Sequence, residues 1–366
     1  MKILYIGGFE LPDKNAAAHR VMTIGKIFRD LGHSVYYIGI TKDKNNHGSV
    51  DNFKFEAIDY PHGLFQWIKY ISGYYILIKI RHIKPQLIIA YNYPAFAICL
   101  LILLSNVYNY KVIGDITEWY EAKKLPRKID TFLCMNFIYK KLDGIITISN
   151  YLYNHFSKQD RILIPPLVDL QSHLWQDNCD INNDDSIKII YAGSPGKHKD
   201  RLDTIIHALS KSNAKRIHLN IYGINKQTYI EYYGLEGLDY PYLYFRGMKT
   251  HNFVIKALKA SDFQIIIREN KRVCNAGFPT KFVETVSAGI SVIANHFSDM
   301  DKYIIDGQNG FLLKDLSDKE LTNLFKRIDS MPRNEIEIMK SSIQGISFDY
   351  RKYINRINEF INKLKI

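Results

Sequence analysis

Short runs of β-branched and aromatic residues alternate with stretches of helical periodicity along the whole chain. That is the pattern of βα units wound around a parallel sheet. In the first half, Lys2–Phe9, Ser34–Ile40, Phe53–Tyr60, Gln86–Tyr91, Lys111–Asp115, Gly144–Ile148 and Arg161–Pro165 read as strands. Helical stretches fill the gaps, for instance Ala16–Leu31 and Tyr151–Ser157. The alternation restarts with Lys188–Ala192, Ile217–Tyr222, Leu243–Phe245, Phe263–Ile267 and Ser291–Ala294. Between the halves, Gln171–Ser186 is polar and carries Asp177, Asp180, Asp184 and Asp185, a linker composition. The pattern therefore predicts an α/β chain of two doubly wound domains in tandem, 1–170 and 187–348.

Composition narrows the class. The chain has 366 residues, 46% hydrophobic and 23% charged, enough for two ordinary globular domains. Its longest central apolar stretch, Ala95–Leu104, is about half of what a membrane-spanning helix needs. Ile3–Phe9 is a poor leader core, being short and interrupted by Gly7-Gly8, so a cytoplasmic location is expected. Cys99, Cys134, Cys179 and Cys274 are scattered without a CxxC pair, which argues against a disulfide framework or a zinc site. Of the net charge of +12, +7 falls within residues 1–170 (21 basic against 14 acidic). Such an excess suits an anionic substrate or membrane; no recognition motif points to nucleic acid.

Ligands of open α/β sheets bind beyond the carboxyl ends of the strands, so the residues following each strand are where chemistry is sought. Gly7-Gly8 precedes the helix starting near Asn15-Ala16, where backbone N–H groups can meet an anion or a sugar; a plain tight turn reads equally well. The spacing is not GxGxxG, so a dinucleotide site is not supported. Tyr191–Arg201 runs from a strand into Gly193, Lys197 and Lys199, a positive pocket suited to a diphosphate; the alternative is a solvated basic loop. No Walker A spacing is present.

Arg268–Glu284 is the densest segment. Pro279 suits a first helical turn, the N–H groups of Phe278–Lys281 would face an anion, and Glu284 one turn on would accept from a neutral diol such as a ribose. At the end of another strand, Asp115 and Glu118 are spaced to share one face of a turn and act on an acceptor hydroxyl. The alternative is a capping aspartate beside an exposed glutamate. Phe65–Lys84 interleaves aromatic and aliphatic residues with Lys69, Lys79, Arg81 and Lys84, and Lys123, Lys124, Arg127 and Lys128 follow Trp119-Tyr120. This suits a bilayer interface, or else a helix packed on the sheet with snorkelling lysines. No DxD pair lies between strand and helix, so no metal or other cofactor is expected.

Taken in order, Gly32-His33-Ser34-Val35, Asp143–Ser149, Ile164–Asp169, Gly277-Phe278-Pro279-Thr280-Lys281-Phe282-Val283-Glu284, Ala288–Ala294 and Asp306–Leu313 resemble the GT-B glycosyltransferases of family 4 over nearly the whole chain. The resemblance implies two Rossmann-like domains facing a central cleft, with a final helix (about 349–366) crossing back to the first. It implies retaining transfer of a sugar from a nucleotide diphosphate sugar to a glycan or lipid-linked saccharide acceptor, in bacterial surface polysaccharide assembly. The basic first half in turn fits an acceptor on a polyprenyl diphosphate and peripheral contact at the inner membrane face. Position by position, the resemblance implies that Gly193 and Lys199 line the diphosphate pocket and that Phe278, Pro279, Thr280 and Lys281 meet the phosphate and donor sugar; Gly7, Gly8, Lys197, Arg268 and Gly277 are further donor-site candidates read from the residues. Glu284 would hold the ribose, Arg246, Gly247 and Met248 would border the base, and Asn15, Ala16 and Asn92 would meet the acceptor. Asp115, Glu118 and Lys199 are the catalytic candidates.

Three positions depart from the family. Ala276 stands where the first carboxylate of its E-x7-E motif belongs, Ser194 replaces a basic residue, and Tyr91-Asn92-Tyr93 replaces a histidine. Arg268 or Lys197 is the candidate for the missing positive charge. The alternatives are a degenerate, non-catalytic subunit that binds an acceptor or partner, or another nucleotide-sugar enzyme such as an epimerase.

Overall fold

The computed structural model describes residues 1–42, 47–176, 185–195 and 199–365. The chain folds into two compact units, Met1–Val168 with Ala276–Phe278 and Asp349–Ile366, and Asp169–Asn275 with Pro279–Phe348.

The first unit holds an eight-stranded sheet: β1 (Lys2–Gly7), β2 (Ser34–Thr41), β3 (His47–Val50), β4 (Phe53–Asp59), β5 (Leu87–Tyr91), β6 (Lys111–Ile116), β7 (Gly144–Thr147) and β8 (Arg161–Leu163). Their order is β3-β4-β2-β1-β5-β6-β7-β8. All pairings are parallel except the edge strand β3, which runs antiparallel to β4. Continuous apolar runs such as Leu87–Tyr91 are buried throughout, as expected where helices cover both faces of a sheet. Helix α1 (Ala16–Asp30) presents Val21, Ile24, Ile27 and Phe28 to this core. The last helix, Ile354–Lys363, adds Ile357, Phe360 and Ile361 to the same cluster.

Helices α2 (Leu64–Ile71), α3 (Tyr74–Ile83), α4 (Ala95–Tyr108) and α5 (Leu125–Leu133) belong to this unit as well. The stretch Phe65–Lys84 forms most of α2 and α3. Ile76 and Ile80 of α3 are buried, whereas no residue of α2 is.

The second unit holds β9 (Ile187–Ala192), β10 (Ile217–Tyr222), β11 (Leu243–Gly247), β12 (Phe263–Ile266), β13 (Ser291–Asn295) and β14 (Gly310–Leu313) in the order β11-β10-β9-β12-β13-β14. All are parallel. Read from β9, this is the doubly wound order 3-2-1-4-5-6, and it places a topological switch point between β9 and β12. Strands β3 and β14 are additions to the pattern read from the sequence.

Candidate functional site

The site in the second unit grows from glycines at the carboxyl ends of neighbouring strands. Gly193, Gly223 and Gly247 follow or end β9, β10 and β11 with φ of +116°, +95° and +67°. Left-handed backbone there costs glycine little. The three ends are stapled together: Gly223 N donates to Gly247 O at 2.9 Å, and Gly193 N to Tyr222 O at 3.1 Å. A Cβ on Gly223 would stand 2.5 Å from the carbonyl carbon of Gly193, and one on Gly193 would stand 2.6 Å from Cε of Lys281. The lysine side chain thus lies directly on the glycine floor.

Lys281 belongs to the helix Thr280–Ser287, whose N-terminus follows Pro279 and has no side-chain cap. Its first N–H groups are left to meet an anion. The Lys281 amine bonds Asp200 Oδ2 at 2.5 Å and Tyr191 OH at 2.9 Å, and lies 4.2 Å from the Tyr191 ring centre. On its other oxygen Asp200 receives Arg268 Nε at 2.6 Å, and Tyr191 OH donates to Oδ2 at 2.6 Å. Arg268 is fixed in turn by Asn295, which accepts from its N at 3.0 Å and donates to its O at 2.8 Å.

The charges set one another's protonation. Burial alone would raise the Asp200 carboxyl, but Lys281 and Arg268 hold it far below the usual range. Burial lowers Lys281 to about 8, with Arg268 and Lys199 pushing the same way against the pull of Asp200. Two cations and one anion leave a net positive charge facing the glycines. Lys199 is exposed nearby, and Lys197 lies outside the described residues.

One turn along the helix, Glu284 Oε1 meets His251 Nε2 at 2.8 Å. Across the sheet edge, Arg246 Nε donates to Asn220 Oδ1 at 2.9 Å, its guanidinium lies 4.8 Å from the Tyr244 ring centre, and Met248 is exposed. The second unit therefore brings together Gly193, Arg268, Pro279, Thr280, Lys281 and Glu284, with Arg246, Gly247 and Met248 at the neighbouring strand end.

Residues 186–328 match the family described as Glycosyl transferases group 1. An uncharacterized glycosyltransferase, MJ1069, of Methanocaldococcus jannaschii is 26% identical over 125 residues, which is 33% of this chain and 31% of that protein. Among solved structures, sucrose-phosphate synthase from Thermosynechococcus elongatus is similar at a TM-score of 0.76 and 14% identity, covering 99% of this chain and 98% of that one. Anabaena Alr3699/HepE in complex with UDP-glucose is similar at 0.70 and 16% identity, covering 99% and 100%. Residues 186–328 are thus similar to a group 1 glycosyl transferase domain, and the chain has a GT-B fold.

Ala276, Gly277 and Phe278 group with the first unit, where Ser149 Oγ donates to the Ala276 carbonyl at 2.7 Å. One expectation is corrected. Asp115 shares no face with Glu118 and does not meet an acceptor: β6 continues through Ile116, and Asp115 is fully buried. Its carboxylate receives Arg20 Nη2 at 2.7 Å and Tyr5 OH at 2.6 Å, while Arg20 Nη1 donates to Ile164 O at 2.9 Å, an internal strut. Arg268 is paired with one oxygen of Asp200, whose other oxygen Lys281 holds. Asn92 is committed to Thr117, donating to Oγ1 at 2.6 Å and accepting from its N at 3.0 Å. Asn15 caps α1 by accepting from Ala18 N at 2.8 Å, with Ala16 as its first residue.

Gly7 lies against Tyr91, where a Cβ would come within 2.6 Å of the Tyr91 carbonyl oxygen. Gly8 has more room, since a Cβ there would approach Tyr70 OH only to 3.9 Å. Glu118 is half-buried and bonds Tyr120. Sequence reasoning missed Asp200, Tyr191, Gly223 and His251. Gly223 had a signal, a glycine directly after a strand as at Gly193. Asp200 was hidden by the cations on either side of it.

Proposed function

We propose that the protein transfers a sugar, with retention, from a nucleotide diphosphate sugar to a saccharide acceptor carried on a polyprenyl lipid, in the assembly of a bacterial surface glycan. The single observation behind this reading is Lys281 lying on the glycine floor at the switch point, with Glu284 one turn away. A diphosphate placed there meets the Lys281 cation, exposed Lys199 and the uncapped N–H groups at Thr280. As the sugar departs, negative charge grows on the diphosphate, and cations and N–H groups already in place stabilise it without a metal ion. Glu284, with His251 behind it, supplies an acceptor for ribose hydroxyls. The solved complex of HepE with UDP-glucose, on the same fold, fits a donor of this class.

The lipid carrier is supported by the helices of the first unit. Leu64 and Phe65 of α2, Leu103 and Val107 of α4, and Leu125 and Phe132 of α5 are all well exposed. α2 packs on α4 and α4 on α5. Lys69 of α2, Arg127 and Lys128 of α5, and Lys123 and Lys124 just before α5 are exposed as well. Apolar side chains amid cations suit a peripheral contact with an anionic leaflet. No described helix is long and apolar enough to cross a membrane.

A calorimetric panel of nucleotide diphosphates and their sugars, run beside Lys199→Ala and Glu284→Ala, tests the reading. Selective binding of one nucleotide sugar, weakened in both variants, supports it, and the anomeric configuration of the product tests retention. The second reading, a non-catalytic binding subunit, is favoured by the fully buried Ala276 at the place of the first carboxylate. Absence of any nucleotide-sugar binding would put that reading first.

A further inference from the structure

The Glu284 carboxylate is held from another element. Its Oε1 meets His251 Nε2 at 2.8 Å. A carboxylate oxygen only accepts, so the imidazole donates from Nε2. The other oxygen, Oε2, has no hydrogen-bond partner among the described residues. With Glu284 17% exposed and His251 35%, the pair lies near the protein surface, where such couples contribute little to stability. Its use is therefore to be sought in what it presents to a ligand.

His251 is itself anchored. It is the first residue of the helix His251–Lys259, which Thr250 caps by accepting from Phe253 N at 3.4 Å. The chain enters this helix from Gly247, whose carbonyl accepts from Gly223 N at 2.9 Å. Within the helix, the Phe253 ring centre lies 6.1 Å from that of Tyr222, the residue before Gly223. The imidazole is thus tied to the glycine floor from both directions along the chain. Glu284 comes from a different helix, Thr280–Ser287, whose Lys281 lies on the same floor. An unrestrained glutamate loses rotamer freedom whenever a ligand orders it. Here Oε1 is engaged in the free protein, so the carboxylate is oriented in advance and Oε2 is left to accept. Hydroxyls bond an ionised acceptor more strongly than a neutral one, which suits a neutral diol.

We propose, resting on the transferase reading above, that His251 is a positioning residue for the ribose of the nucleotide. It fixes the Glu284 carboxylate with Oε2 presented to the ribose hydroxyls, and so makes the site favour ribonucleotides over 2′-deoxyribonucleotides. A site built to bond a hydroxyl rejects the analogue that lacks it, because its own polar group is then left unpaired. His251 acts through Glu284 and not on the nucleotide itself.

Calorimetry with the common ribonucleoside diphosphates and their 2′-deoxy counterparts provides the test, on the full chain and on His251→Ala, His251→Gln and Thr250→Ala. His251→Gln keeps an N–H donor for Glu284. Thr250→Ala weakens the same helix start but leaves the pair in place. In the parent, the best-bound ribonucleotide should bind about tenfold more tightly than its 2′-deoxy form. His251→Ala should shrink that ratio to about two- to threefold by weakening the ribonucleotide alone, and His251→Gln should restore most of it. Thr250→Ala should lower the melting temperature and leave the ratio as it is. A tie that merely holds two helices together would instead weaken both nucleotide series equally in His251→Ala. That result, an unchanged ratio, or a parent that binds both series alike overturns the proposal and leaves the transferase reading standing. No ribonucleotide binding to the parent at millimolar concentration would sink both.

Discussion

Asp200 bridges Lys281 and Arg268, with one carboxylate oxygen 2.5 Å from the lysine amine and the other 2.6 Å from the arginine Nε. The two cations of the proposed donor site are thus held together in the free protein. Removing the bridge exposes the cost of that arrangement. Asp200→Asn leaves two buried cations facing each other and destabilises the free protein by about 3 kcal/mol. Without the carboxylate's pull the Lys281 amine gives up its proton more readily, so a nucleotide diphosphate meets less positive charge and its stabilising effect shrinks. Thermal denaturation with and without ligand checks both signs; a ligand shift no smaller than that of the parent would refute the bridging role.

Lys281 makes donor binding dependent on pH. Its amine titrates at about 8 in the folded chain, below the ordinary 10.5. Between those values the unfolded chain holds a proton that the folded chain has released, so this group's contribution to stability rises with pH across the window. Affinity for the diphosphate moves oppositely, because the cation disappears as pH climbs through about 8. Calorimetry should show affinity falling about tenfold from near-neutral to mildly alkaline pH, and Lys281→Arg should flatten the profile.

Gly223 tests the glycine floor. Gly223→Ala combines φ of +95° with a Cβ 2.5 Å from Gly193, so both strand ends must shift. Gly32→Ala has φ of +81° and nothing within 4 Å, so it bears backbone strain alone. The expected costs are about 3 kcal/mol or more for the first and about 1 kcal/mol for the second. Only the first should lose donor affinity, measured beside urea denaturation.

The buried pair of Arg20 and Asp115 is a strut, and mutation should show it. Asp115→Asn strands a buried guanidinium and lowers stability by about 3–5 kcal/mol. Loss of activity should follow the folded fraction, whereas a catalytic base would lose turnover at full folding.

Transfer should also survive a chelator. Activity unchanged in excess EDTA is expected when cations and N–H groups carry the leaving charge, and a metal-restorable loss would reverse that assignment.

The sheets were legible because burial on both faces writes continuous apolar runs such as Leu87–Tyr91. Strand β3 escaped because His47–Val50 is an exposed edge with no apolar run to mark it. Among site residues, Lys281 and Glu284 were visible through helix-start spacing. Asp115 was misread because a strand-end carboxylate looks the same in sequence whether it faces a ligand or a buried arginine 95 positions away. Such partners are chosen by topology, which α1 and β6 supply only after folding. His251, beside Glu284, was hidden for the same reason.

The first unit is closed by the last part of the chain. Val168 pairs with Asp349, Tyr350 OH donates to Asp30 Oδ2 at 2.9 Å, and Phe360 and Leu364 pack where a Cβ on Gly144 would stand. During synthesis, then, residues 1–168 emerge from the ribosome well before the segment that covers them, whereas 169–348 are all present once Phe348 is made. The half translated first is finished last, and a nascent chain halted near residue 348 would hold a completed second unit beside a first one still missing its final helix.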